Sequence, residues 1–474
     1  MVFVDATTEP AHATGTLTGT PTRTPPRGRW IHGWDAEDVQ QWEGGGRTIA
    51  TRNLRWSIAC EFLGFVVWQL WSIVVVYLPA AGFHFSSSEL FWLISVPSLV
   101  GATLRIPYTF MVARFGGRNW TVVSALLLLA PTTGLAVCVA NPGIPFGAML
   151  AVAALAGLGG GNFASSMANI TYFFPAREKG WALGLNAAGG NLGAAVAQLM
   201  VPVVVTAFAA ATLKLPLAGL LWVPLILVAA WGAWKCMDNL SSAKSDIAGS
   251  LACLREPHLW ILALLYVGTF GSFIGFSAVF PKLIVDTFGP HVGFSLGTAT
   301  ISLAFLGALV GSLARPWGGR LGDRWGGARV TVACFAVLAL TALTQMLTLP
   351  LGSFPLFIGL FLVLFAAAGA GNGSTYRMIP VVFAIRAASP GAAGQGTVGQ
   401  GTVSSARRAS AALGLISALG AYGGFLVPQV LNASRLASGS YAGAFTGFVA
   451  AYLLLMGLTW FVYLRRSPTS LAGI

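Results

Sequence analysis

Ala113-Arg114-Phe115-Gly116-Gly117-Arg118 occurs a second time, with small changes, as Gly322-Asp323-Arg324-Trp325-Gly326-Gly327-Ala328-Arg329, and this duplication decides how the chain is built. Arg114, Gly116 and Gly117 map onto Arg324, Gly326 and Gly327 by an offset of 210 residues. The same offset carries Arg105 onto Arg315, and Gly159, Gly161 and Asn162 onto Gly369, Gly371 and Asn372. One unbroken offset through three separated motifs marks two copies of a half-chain unit.

Composition gives the medium in which those halves fold. Of 474 residues 56% are hydrophobic and 9% charged, and the mean hydropathy is +0.76. A soluble domain carries roughly 25% charged residues, so this chain lacks the polar surface to dissolve. The 59 glycines suit helices whose backbones approach closely in lipid. A bilayer core takes about 20 apolar residues per helix. Apolar segments near 55–79, 89–113, 119–139, 144–174, 180–210 and 217–236 form a first set of six. Segments near 258–286, 294–319, 328–348, 354–385, 409–432 and 441–463 form a second. The fold class is therefore an all-α membrane protein of twelve transmembrane helices in two pseudo-symmetric six-helix bundles. Residues 1–52 read as a tail, its first thirty residues disordered and its Trp30–Trp42 stretch amphipathic, aromatic and acidic. Residues 53–237 form one bundle, 238–256 a linker and 257–466 the other; the Gly/Ser/Ala-rich run 387–405 reads as a flexible loop.

Charge gives the orientation. Of the 27 Lys and Arg residues, twenty-one fall in the tail, the C-terminus and alternate loops on one face, while the other face keeps Lys214 and Arg435. The positive-inside rule then places both termini in the cytoplasm and the chain in the inner membrane. The net charge of +13 is explained by topological anchors and lipid headgroups, without nucleic acid. The five cysteines show no metal-binding spacing, and the five histidines lie in the tail, loops or span edges. No cofactor is expected, and no catalytic set of an enzyme is found. The fold works as a monomer.

The remaining four cations, Arg105, Arg315, Arg377 and Lys282, fall inside spans. Arg105 lies nine residues before Arg114, hence about 13 Å into a core about 30 Å thick. An arginine there costs roughly 2.5–3.5 kcal/mol, so it must face the interior and have a partner. Carboxylates are scarce: Glu61 lies near the inner end of the first span, and Glu89 and Asp286 near outer ends. Two central arginines with no acid between them point to an anion site, and a guanidinium fork suits a planar oxyanion. Lys282 precedes Asp286 by four residues, which reads as an i,i+4 pair. Arg377 reads as a gate residue or a second anion contact. Glu61 reads as a cap or a partner of a loop arginine.

The two loop copies resemble the cytoplasmic loop signature of the major facilitator superfamily, whose parallel halves hold substrate at the midplane. Gly157-Leu-Gly-Gly-Gly-Asn-Phe-Ala-Ser-Ser-Met-Ala-Asn-Ile-Thr-Tyr-Phe-Phe-Pro175 resembles the nitrate signature of that superfamily's nitrate/nitrite porters, the NarK type. Ala370-Gly-Asn-Gly-Ser-Thr-Tyr376 is similar to its second copy. The likeness runs from Trp34 to Arg466 and includes 104–110, 185–193 and 265–276. It implies that Arg105 and Arg315 grip the anion and that Asn191 and Tyr266 donate to it. It implies that Phe65, Phe163 and Phe270 wall the flat ion, and that Gly159, Gly161, Asn162, Gly369, Gly371 and Asn372 serve the signature helices and their gating. The expected partners are nitrate, nitrite and membrane lipid. The expected function is secondary transport of nitrate and nitrite, by antiport. A nitrate/proton symporter and a porter of another small anion stay open as alternatives.

Overall fold

Both copies of the duplicated loop turn on a glycine in the same left-handed backbone region, Gly116 at φ 86° and Gly326 at φ 92°. A side chain would be strained there, so each glycine ends one helix and starts the next within a single residue. In the computed structural model, residues 29–207, 213–243, 253–289, 292–296, 299–388 and 412–465 are described. Their long helices are α1 (Arg47–Val74), α2 (Ser87–Phe115), α3 (Gly117–Val139), α4 (Phe146–Phe173), α5 (Ala176–Ala207) and α6 (Leu217–Cys236). The second half contributes α7 (Pro257–Phe288), α8 (Phe305–Trp325), α9 (Gly327–Thr348), α10 (Phe354–Ala388), α11 (Ala412–Ser438) and α12 (Ala442–Leu464). Eleven of these are long and apolar enough to cross a membrane. The remaining helix, α8, carries Arg315, Arg320, Asp323 and Arg324 and owes its place to packing.

The packing repeats as the sequence does. Helix α2 lies on α4 as α8 lies on α10, and α1 lies on α5 as α7 lies on α11. The halves meet through α2 with α11, α5 with α8, and α1 with α7. Hydrogen bonds close this seam on the side away from the two chain ends. Gln429 Nε2 donates to Ser95 Oγ (2.6 Å), Asn432 Nδ2 to Ser88 Oγ (3.1 Å) and Gln198 Nε2 to the Ser277 carbonyl (2.7 Å).

Three expectations change. The span read at 294–319 begins at Phe305: β3 (Phe294–Leu296) and β4 (Ala299–Ile301) pair antiparallel ahead of it. Phe294, Thr300 and Ile301 are residue types that favour strands, and the backbone N–H of Thr300 donates to Thr206 Oγ1 at 2.8 Å. The tail read to residue 52 already becomes α1 at Arg47. Its Trp30–Trp42 stretch is docked: β1 (Trp30–Ile31) pairs in parallel with β2 (Asn239–Leu240). Trp34 Nε1 donates to the Tyr172 carbonyl (3.1 Å), and Trp42 packs edge-on against Phe174. The disorder expected of the first thirty residues falls on residues outside the described ones for 1–28, as does most of the loop read at 387–405.

Candidate functional site

The signature glycines let four backbones converge. A Cβ at Gly159 would overlap the carbonyl of Gly64 on α1, and one at Gly160 would lie 3.0 Å from Gly101 Cα on α2. In the second half a Cβ at Gly369 would overlap the Gly311 carbonyl on α8. Gly161 faces Tyr108, and Gly371 faces Thr269 and Cys334. These glycines sit at helix crossings, where close approach in an apolar medium gains dispersion contacts. The crossing also aims a carbonyl, because the oxygen of Gly160 accepts from Arg105 Nε at 3.1 Å.

Arg105 is fully buried, and its Nη1 donates to the Ser417 carbonyl of α11 in the other half (2.9 Å). Aromatic faces satisfy the rest of the charge: the guanidinium carbon lies 4.5 Å from the Phe163 ring centre, 5.1 Å from Phe270 and 5.4 Å from Trp68. Arg315, also buried, lies 5.8 Å from the same Phe163 ring and 5.4 Å from Tyr376. Phe163 thus touches both guanidinium groups, which are no farther apart than those two distances laid end to end. Arg105 Nη2 and Arg315 Nη1 are buried donors without a hydrogen-bond partner among the described residues. Orphaned cationic donors at the centre of an apolar bundle are costly unless a ligand uses them.

Helix α7 widens to a π turn over Val267–Gly271, between Tyr266 and Ser272. Such turns concentrate at functional sites. Here it stacks Tyr266 on Phe270 (5.2 Å, 19°), and Phe270 on Phe163 (6.3 Å, 25°). The Tyr266 hydroxyl faces Arg315 without a hydrogen bond of standard geometry. Phe65 meets Phe163 edge-on at 6.2 Å. The structure therefore brings Arg105, Arg315, Tyr266, Phe65, Phe163 and Phe270 into one cluster. Asn191 lies on α5, the helix packed against both α1 and α8, with both side-chain polar atoms buried and unpaired. Asn162 and Asn372 are likewise buried and unpaired, and Asn162 rests against Gly64.

Several participants are not singled out by the sequence. Trp68 covers Arg105 and is pinned by its own bond to the Pro97 carbonyl (2.9 Å). Tyr376 covers Arg315 from the second signature copy, where the first copy has Ser166. Glu61 is not a cap and does not pair with a loop arginine: its carboxylate is buried and accepts from Ser166 Oγ and from Asn186 Nδ2 (2.7 Å). The loop acid that gathers arginines is Asp238, which accepts from Arg52 (2.6 Å) and pairs with Arg29 (3.3 Å). Arg377, read as a gate or anion contact, pairs with Asp323 instead. Lys282 does pair with Asp286 (3.0 Å).

The Major Facilitator Superfamily model matches residues 60–428. The nitrate/nitrite transporter NarU of Salmonella typhimurium is 44% identical, over 92% of this chain and 96% of its own. The probable nitrate/nitrite antiporter NarK2 of Thermus thermophilus is 34% identical, over 93% and 98%. Among solved structures, a bacterial homolog of the human lysosomal transporter Spinster superposes with a TM-score of 0.60 at 17% identity, covering 89% of this chain and 99% of that one, which supports the fold alone. A duplicated twelve-helix bundle, a glycine-rich signature in each half and near full-length similarity to those porters coincide. The chain belongs to the nitrate/nitrite porter family of the major facilitator superfamily.

Proposed function

We propose that this protein carries nitrate and nitrite across the cytoplasmic membrane by alternating access, exchanging one anion for the other between Arg105 and Arg315. The observation that carries the reading is the buried arginine pair around Phe163, each with an orphaned donor. A small planar monovalent anion fits two forked donors between parallel aromatic faces, whereas a larger organic anion meets Phe65, Phe163 and Phe270. Asn191, Tyr266, Asn162 and Asn372 are the further polar groups assigned to the ion, and the signature glycines are assigned to the sliding of α4 and α10.

Exchange follows from the charge. Two unit charges at most about 10 Å apart repel by at least roughly 1.7 kcal/mol at an effective dielectric constant of about 20. Closing the halves over an empty centre removes the water that screens this repulsion, and a bound anion cancels it. The loaded carrier therefore reorients more readily than the empty one. In proteoliposomes, labelled nitrate should enter when nitrite is trapped inside, at least about tenfold faster than when the lumen holds no anion substrate. Equal accumulation without internal anion, driven by an inward proton gradient, would replace exchange by proton symport.

A further inference from the structure

The arginine cluster has a carboxylate in its field that the exchange reading does not use. Glu61 sits on α1, one turn before Phe65, with only 1% of its surface exposed. One oxygen accepts from Ser166 Oγ and Asn186 Nδ2, and the other, Oε1, has no partner among the described residues. Asn186 Nδ2 also reaches Ser166 Oγ (2.6 Å), which in turn lies 2.9 Å from Ser57 Oγ. Gly190 leaves the space that the carboxylate fills, since a Cβ there would press on it. This is a buried polar chamber, and among the described residues no cation is bonded to it.

The charged and titratable groups that face Glu61 come from the helices around it. They are Arg105 of α2, Arg315 of α8 and Tyr376 of α10. Helices α4 and α5 contribute the uncharged Ser166 and Asn186. Helix α6 presents the Ala229 carbonyl to the neighbouring Cys60, and α7 brings Tyr266 to the arginines. The same two guanidinium groups thus act on the carboxylate and on the proposed anion.

We infer that Glu61 is a proton-binding site linked to the anion site: nitrate arriving between the arginines draws a proton onto the carboxylate, and its departure releases that proton to water. The physical ground is competition for one positive field. With the anion absent, Arg105 and Arg315 offset part of the cost of holding a charge on the buried carboxylate. With the anion present, their charge is spent on it and a second negative charge nearby becomes unfavourable, so the carboxylate binds a proton. Linkage is reciprocal, so a protonated Glu61 tightens the hold on nitrate. The Ser166 hydroxyl can turn to serve either state, donating to the carboxylate or accepting from the acid. Nitrate and nitrite carry the same charge, so each draws the same share of a proton and an exchange of one for the other moves no net protons.

This inference rests on the arginine pair as the anion site, and one experiment separates the two. Nitrate binding to the purified full-length protein is followed by titration calorimetry between pH 4.5 and pH 8, in two buffers of unlike ionisation enthalpy. The wild type should take up a fraction of a proton per nitrate bound, and its affinity should tighten at least threefold toward the acid end. In Glu61→Gln both effects should vanish while nitrate still binds. Glu61→Leu is the second variant, because Ser166 and Asn186 remain bonded to each other without the carboxylate. Binding with no proton uptake in the wild type, or with unchanged uptake in either variant, overturns the inference and leaves the anion site standing. Nitrate binding that Arg315→Lys does not weaken overturns the anion site itself.

Discussion

A guanidinium group held by two backbone carbonyls has fewer donors to offer than one that is held by none, and this separates Arg105 from Arg315. Arg105 spends Nε on Gly160 and Nη1 on Ser417, so it couples α2 to α4 and to the opposite half. Arg315 makes no standard hydrogen bond among the described residues and is confined by Phe163 and Tyr376. Lysine retains the charge but not the fork, so nitrate affinity should fall at least about tenfold, or about 1.4 kcal/mol, in Arg105→Lys and in Arg315→Lys. Arg105→Lys should also lower thermal stability, since leaving buried carbonyls without donors costs about 1–3 kcal/mol. Calorimetric binding and melting in detergent would measure both, and Arg324→Lys in the loop should bind nitrate as the wild type does. The two arginines stood out in the sequence because a cation at mid-membrane is costly and acids to pair with it are scarce in the spans. Their asymmetry did not. The 210-residue offset pairs Phe163 with Gly373 and Ser166 with Tyr376, so the two halves build different walls from one template. A lone phenylalanine or tyrosine in an apolar helix carries no signal of which neighbour it will cover.

At the scale of helices, the signature runs act through what they omit. A methyl group at Gly159 would collide with the Gly64 backbone, which cannot rotate away as a side chain can. Gly159→Ala should therefore force α1 and α4 apart, costing about 1–3 kcal/mol and lowering the apparent melting temperature by several degrees. Gly184, on α5, has nothing within 4 Å of the same added atom, and Gly184→Ala should melt as the wild type does. Equal melting of the two variants would mean that the α1–α4 crossing yields without cost. The helices themselves were readable from hydropathy because lipid permits only helices and closed barrels, and apolar runs of about 20 residues suit helices. Two kinds of feature escaped that reading. The hairpin at 294–301 lies where a polar–apolar alternation is too short to be told from a helix end. The chamber around Glu61 is assembled by Ser57, Ser166 and Asn186 from three helices, and no one-dimensional spacing records such a meeting.

The whole molecule raises the question of which side its closed seam faces. The bonds from Gln429, Asn432 and Gln198 join the halves on the side opposite to the chain ends. At that same end Asp286 accepts from Arg435 (2.6 Å) and from Lys282 (3.0 Å). At the other end, Asp238 with Arg29 and Arg52 fastens the segment before α1 to the strand after α6. Basic residues crowd this second end, and the retention of Lys and Arg in the cytoplasm predicts that it lies inside. The seam would then be closed toward the outside. Two exposed serines report the orientation. Ser438 lies at the end of α11, and Ser242 follows β2 at the opposite face. In a background without the five cysteines, a cysteine at 438 should react with a membrane-impermeant thiol reagent in intact cells. A cysteine at 242 should react only after the membrane is opened. The reverse pattern would invert the protein in its membrane, and with it the side on which the closed seam stands.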